Sequence, residues 1–432
     1  MRKAALILGG LVAGAVVLAL LAYALFSGAG PIPPATVAFD KLTAEEHRAL
    51  VDRGRYVARA ADCAACHVSE DGVAYAGGFA MATPFGTIYG TNITPSRSHG
   101  IGGWTADDLY RAVVWGILPD GGHLYPAMPY TSYHAMERAD VDALWAYLMT
   151  RPPIDRPDRK PDMAFPFNIR PAIAFWNMLF RPGDTTLPAA ADKSEDWRRG
   201  RYLVDVLGHC GDCHTPRNLL YAKTGRHLRG EVMEGDLAPD ISPKGLSARG
   251  WTAPDLKSFL STGLSRQGST TLGMYPVLEH STRHLTEADL DAIASYLLAG
   301  APPPATPALT AAPGRRDREA ARAASVEAGR HTYVGLCAGC HGTQGEGRPH
   351  ASVPLATNTT AMFESPHNLI KIIRDGVPAR RLAGSERMQE MPAFRDRLSD
   401  REIADLANYL RATWGGRPPD VTAGQVAEVS ER

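Results

Sequence analysis

The 432-residue chain has no spare cysteine, no excess of either charge and few runs that alternate like strands. Lys plus Arg equals Asp plus Glu at 46 each, so nothing argues for nucleic acid or for long-range steering of a charged partner. It has no glycine-rich nucleotide loop, no Ser/His/Asp arrangement and no paired-carboxylate signature. It therefore lacks the side chains that would let it oxidise an organic substrate alone. What it does have is one pentapeptide, Cys-x-x-Cys-His, written three times: Cys63-Ala-Ala-Cys66-His67, Cys210-Gly-Asp-Cys213-His214 and Cys337-Ala-Gly-Cys340-His341. These copies use all six cysteines.

Cys-x-x-Cys-His is the attachment signature of c-type haem. Two thiols add to the porphyrin vinyl groups, and the adjacent His reaches the iron as proximal ligand. A spacing of two residues lets both sulfurs face one macrocycle edge from a single helical turn. A lone copy would also read as a zinc knuckle or a redox-active cysteine pair. Three copies, each with its His, point instead to three covalently bound haem c groups and to an electron carrier.

The sixth iron ligand decides between electron transfer and chemistry at the metal, and a Met opposite His raises the potential. Met128 lies 65 residues after Cys63, Met274 lies 64 after Cys210, and Met391 lies 54 after Cys337. Each sits beside or near a Pro that stiffens its loop, so the expected axial pairs are His67 with Met128, His214 with Met274, and His341 with Met391. Met388 is the rival in the third copy, and His123, His134, His280, His350 and His367 are the rival imidazoles.

Repetition extends beyond the haem motifs. Gly54-Arg55-Tyr56, Gly200-Arg201-Tyr202 and Gly329-Arg330-His331 precede the three motifs. Trp104-Thr105-Ala106-Asp107-Asp108-Leu109 recurs 147 positions later as Trp251-Thr252-Ala253-Pro254-Asp255-Leu256, the same offset as Cys63 to Cys210. Thr followed three residues on by Asp marks a helix start. Thr286 with Asp289 and Ser399 with Glu402 are further caps ahead of closing helices, whose Tyr147, Tyr296 and Tyr409 read as core.

The expected fold class is all-α: three tandem class I-type cytochrome c domains joined by Pro-rich linkers, with an N-terminal hydrophobic helix. The expected domains cover residues 40–150, 193–300 and 321–415. A linker over 151–192 carries the aromatic stretch Phe165–Phe180, which reads as packing between domains or as a docking face for a partner subunit, lipid or quinone. Residues 301–320 form a Pro/Ala linker, and 416–432 a polar, mobile tail. Within residues 1–30, Ala4 to Phe26 is an uncharged apolar run behind Arg2 and Lys3. As a helix it spans roughly 35 Å, enough to cross a bilayer. The run is a retained anchor or a cleaved signal, and either places the rest outside the cytoplasm.

Several segments resemble the triheme cytochrome c subunit of bacterial membrane-bound alcohol, aldehyde, gluconate and sorbitol dehydrogenases. They are Ala76-Gly77-Gly78-Phe79, Thr83-Pro84-Phe85-Gly86-Thr87-Ile88-Tyr89, Thr91-Asn92-Ile93-Thr94-Pro95, Tyr125-Pro126-Ala127-Met128-Pro129-Tyr130, Cys213-His214-Thr215-Pro216-Arg217-Asn218 and Glu279-His280-Ser281-Thr282. The resemblance implies a separate catalytic subunit carrying pyrroloquinoline quinone, flavin or a molybdenum cofactor, and leaves room for a small third subunit. It further implies electron delivery to ubiquinone at the periplasmic face of the bacterial inner membrane. The polar tail departs from relatives that attach through a C-terminal amphipathic segment. A free-standing multihaem carrier, a terminal-oxidase-associated cytochrome and a peroxidase-like haem enzyme are the competing readings.

Overall fold

The computed structural model describes residues 28–233, 235–301, 324–382 and 387–430, together with five residues ahead of Gly28. Most of the apolar run and nearly all of the Pro/Ala linker therefore lie outside the described residues. Among the described residues no helix is long and apolar enough to cross a membrane. The chain divides into two compact units: Met1–Ala190 with Val204–His209, and Ala191–Leu203 with Cys210–Arg432.

The first unit holds α1 (Ala44–Ala60), α2 (Ala106–Trp115), α3 (Arg138–Met149) and α4 (Ile173–Phe180). The second holds α5 (Glu195–Arg201), α6 (Ala253–Thr262), α7 (Met274–His280), α8 (Glu287–Leu297), α9 (Ala324–Thr332), α10 (His367–Asp375), α11 (Asp400–Thr413) and α12 (Ala423–Ser430). The helix starts are where the cap residues put them. The Thr105 and Thr252 hydroxyls accept from the amides of Asp108 and Asp255, whose carboxylates accept in return from the Thr amides. Ser399 and Glu402 close the same reciprocal box on α11.

One packing device recurs three times. α1 crosses α3, α5 crosses α8 and α9 crosses α11, each at the glycine that precedes a haem motif. A Cβ on Gly54 would stand 1.8 Å from the Ala143 carbonyl oxygen, on Gly200 1.9 Å from that of Ala292, and on Gly329 2.0 Å from that of Asp405. In each case the next side-chain atom met is the Cβ of a tyrosine one turn on: Tyr147, Tyr296 or Tyr409. The backbones touch, so only glycine fits. In the first two copies the residue before the glycine adds an ion pair, Arg53 to Asp140 at 2.8 Å and Arg199 to Asp289 at 2.7 Å. The third copy has Ala328 there and keeps Glu402 for its cap.

The structure departs from the all-α reading in having short antiparallel sheets among its loops. β1 (Ala80–Thr83) pairs with β2 (Gly86–Tyr89), which pairs with β3 (Asp162–Met163). β4 (Glu231–Met233) pairs with β5 (Asp236–Ala238), β6 (Leu264–Ser265) with β7 (Gly268–Ser269), and β8 (Arg380–Arg381) with β9 (Arg387–Met388). These pairs are too short for a period-2 signal, which is why sequence pattern passes over them.

The stretch 151–192, expected as a linker, is structured up to Phe180 and belongs to the first unit as far as Ala190. β3 completes a sheet, and Asn177 of α4 is buried, accepting the Tyr130 hydroxyl at 2.7 Å. On the same segment Phe165 is 79% exposed and Leu179 62%. The tail expected to be mobile is also docked. α12 buries Val426 completely, and the Asn408 side chain pairs with both the amide and the carbonyl of Val421. Val421, Val426 and the partly buried Val429 pack on the core, with the buried Asn408 amide beside them, a pattern hidden in a polar composition.

Copies two and three fall in one compact unit. Asn368 accepts from the Leu237 amide and donates to the Leu237 carbonyl, both at 2.8 Å, as a neighbouring strand would. Lys371 reaches the Gly235 carbonyl and the Asp236 carboxylate, and the Thr359 amide donates to the Gln267 carbonyl at 2.8 Å.

Candidate haem sites

The second cysteine of each motif sits in a one-turn helix: Cys63–Cys66, Gly211–His214 and Ala338–His341. The approach differs between copies. In the first, Asp62 takes a left-handed conformation (φ 52°) that separates the turn from α1. In the others the chain enters through a widened π-helical stretch, Tyr202–Leu207 and Tyr333–Cys337, a form that often marks functional sites.

The three motif histidines share one geometry. Nδ1 lies 2.7 Å from the Thr91 carbonyl in His67, 2.7 Å from the Pro239 carbonyl in His214, and 2.9 Å from the Val353 carbonyl in His341. A carbonyl can only accept, so each Nδ1 must carry the proton and each Nε2 keeps its lone pair for a metal. This is the outer support that metal-ligating histidines usually have. Burial holds all three imidazoles below their ordinary pKa, favouring the neutral form that coordinates. Sequence reasoning does not find these acceptors. Thr91-Asn92-Ile93-Thr94-Pro95 recurring as Pro239-Asp240-Ile241-Ser242-Pro243 is the signal for two of them.

Burial, with help from Asp62 and Cys66, pushes the Cys63 thiol up to about 12, and burial likewise pushes Cys337 to about 11. Neither is the low-pKa thiolate of a redox-active pair. Among the described residues no three His, Cys, Asp or Glu side chains converge as a metal-binding group, so a zinc knuckle lacks its donor set. The residues fit covalent haem.

At the third site both halves meet. Cys337, Cys340 and His341 line one cleft with Met391 and its rival Met388. Met391 is held by a two-way backbone pairing with Val377, at 2.9 Å in each direction. The preceding Gly376 (φ 74°) lies so close that a Cβ there would be 2.4 Å from the Met391 carbonyl oxygen. Met128 and Met274 occupy the corresponding stretch of their own copies, between α2 and α3 and between α6 and α8. Met128 is half-buried just ahead of the short helix Tyr130–Tyr133, and Met274 opens α7.

The rival histidines are otherwise engaged or placed. His123 is buried beside the Asn177 amide at 3.2 Å, and His134 bonds the Thr131 carbonyl at 2.9 Å. His367 bonds the Gly235 carbonyl at 2.6 Å, His280 ends α7, and His350 is exposed with φ 60°. Among the described histidines only His341 lines the third cleft.

A cytochrome c family model matches residues 51–152, and one described as cytochrome c oxidase, cbb3-type, subunit III matches residues 324–410. A nicotinate dehydrogenase subunit of Pseudomonas putida is 41% identical over 86% of this chain, which spans only 31% of that protein. The cytochrome c subunit of alcohol dehydrogenase (quinone) from Gluconacetobacter polyoxogenes is 36% identical over 90% of this chain and 86% of its own length. The fructose dehydrogenase cytochrome subunit of Gluconobacter japonicus is 38% identical over 89% and 84%. Similarity at that level, along nearly the whole of such proteins, places the chain in the family of dehydrogenase cytochrome c subunits, with covalently bound haem c.

Proposed function

We propose that the chain takes electrons from the catalytic subunit of a periplasmic dehydrogenase complex and delivers them to ubiquinone, through three tandem cytochrome c domains that hold one covalent haem c each. Cys63 with Cys66, Cys210 with Cys213, and Cys337 with Cys340 form the thioether links. His67 with Met128, His214 with Met274, and His341 with Met391 ligate the iron. The observation that carries this reading is the threefold hydrogen bond from motif-histidine Nδ1 to a backbone carbonyl. Bound haem c supplies a one-electron iron couple. The chain's residues do the rest: the carbonyls of Thr91, Pro239 and Val353 hold the proton on Nδ1 and aim each imidazole, burial keeps the ring neutral, and at the third site Leu369 and Phe394 line the cleft.

A pyridine haemochrome assay should give three haems per chain, and acid–acetone should not extract them. A count of one or two would refute at least one motif. Without its catalytic subunit the chain should leave alcohol, aldehyde and sugar substrates untouched; with it, substrate should reduce the haems and then quinone. Turnover by the isolated, haem-loaded chain would overturn the assignment. A free-standing or oxidase-associated carrier finds some support in the cbb3 subunit III match. Co-purification of a dehydrogenase subunit decides between the two.

The proposed location is the periplasmic face of the bacterial inner membrane, with Ala4–Phe26 as anchor or export signal. An anchor predicts a mature start near Met1 and resistance to carbonate washing, because apolar burial rather than charge holds it. A mature start near Gly28–Pro33 would decide for a cleaved signal.

A further inference from the structure

Arg380 is the only Lys or Arg among the described residues lining the third cleft, alongside Cys337, Cys340, His341 and Met391. β8 holds it directly across from Met388 of β9. Its buried Nε has no hydrogen-bond partner among the described residues. Its guanidinium lies 3.6 Å from the centre of the Tyr275 ring, and Tyr275 directly follows Met274. A buried guanidinium edge without an acceptor is unfavourable by itself, whereas a haem brings two carboxylates that need donors. The planar fork of Arg suits such a carboxylate, and its flat face suits an aromatic ring.

We propose that Arg380 binds a propionate of the haem in the third cleft and, stacked on Tyr275, ties that haem's edge to the turn carrying Met274. The proposal rests on the haem reading of the third motif. It makes Arg380 a positioning residue with an electrical effect. A propionate left without its cation stabilises ferric iron, so losing the guanidinium lowers the potential. It also makes the second and third sites an adjoining pair, consistent with the contacts of Asn368 and Lys371 to the β4–β5 hairpin.

The test is a spectroelectrochemical titration of the full-length, haem-loaded protein, in Arg380→Gln and Arg380→Lys. In Arg380→Gln, one of the three titration components should lose about tenfold in its reduction equilibrium constant, ~59 mV for a one-electron couple. It should be the component that Met391→Ala also moves, with the other two shifting less than threefold. Arg380→Lys, which keeps the charge, should restore most of the loss. Loss of the third haem in the Gln variant with retention in the Lys variant would also support the proposal, since charge is what separates them. An unshifted titration in Arg380→Gln, or an equal shift or equal haem loss in both variants, would overturn it. Haem content of the unaltered protein keeps the two readings apart. Three haems with no effect of Arg380 sink only this inference, whereas two haems with Cys337 and Cys340 as free thiols remove the third haem itself.

Discussion

Replacing Gly329 with alanine should destabilise the third copy by about 3 kcal/mol, even though alanine is the better helix former. Propensity favours alanine in a helix by about 1 kcal/mol. Against this, the new Cβ would sit 2.0 Å from the Asp405 carbonyl oxygen and 2.8 Å from the Tyr409 Cβ. Both obstacles belong to α11 and neither can swing aside, so α9 and α11 must part. That loosens the packing over Tyr333, Tyr409 and Trp414, whose ring centres lie 5.3 to 5.7 Å apart. Overpacking a rigid site costs roughly 1–3 kcal/mol before such knock-on losses, so the clash wins. The melting transition of the second unit, which holds this copy, should fall by roughly 9 °C, at about 2–4 °C per kcal/mol for a unit of that size. Gly335→Ala is the control, because a Cβ there meets nothing within 4 Å. Gly54→Ala and Gly200→Ala should behave like Gly329→Ala. Equal melting of the Gly329 and Gly335 variants would show that the crossing tolerates a methyl group.

The second large effect is expected at the iron. Met391→Ala should leave the third haem attached, because the thioethers of Cys337 and Cys340 do not involve Met391. It should open that iron to carbon monoxide, remove about a third of the far-red thioether-to-iron absorption, and lower one potential, since Met opposite His favours reduced iron. Met388→Ala should do none of this. Met391 is clamped by Val377 on both its amide and its carbonyl, while Met388 is in the two-residue strand β9 opposite Arg380. Carbon monoxide binding in the Met388 variant and not in the Met391 variant would reverse the assignment. Met128→Ala and Met274→Ala test the other two pairs in the same way.

Much of this is local chemistry and was legible without coordinates. Spacing of two between cysteines, a following His, a cap residue with its partner three residues on, and a glycine recurring ahead of each motif are all short-range signals. Each is set by the geometry of one helical turn or one helix end. Haem attachment and three repeated helix frames follow from them. Helical periodicity also marks Tyr147, Tyr296 and Tyr409 as core; Tyr147 and Tyr409 are buried, whereas Tyr296 is only half-buried.

What periodicity cannot supply is the partner of an inward face. Only the tertiary structure set Ala143, Ala292 and Asp405 against the three glycines, and so turned three small residues into three contacts that no other residue could make. Only it supplied the carbonyls of Thr91, Pro239 and Val353, which lie 24, 25 and 12 residues beyond their histidines and carry no side-chain signature for the role. It docked the polar tail through Val426 and Asn408, drew residues 151–190 into the first unit, and joined copies two and three through Asn368 and Lys371. Backbone acceptors and long-range contacts leave almost no trace in residue type, since any residue has a carbonyl and many can reach one. A sequence therefore declares which chemistry it carries, while the fold decides which atoms hold that chemistry in place.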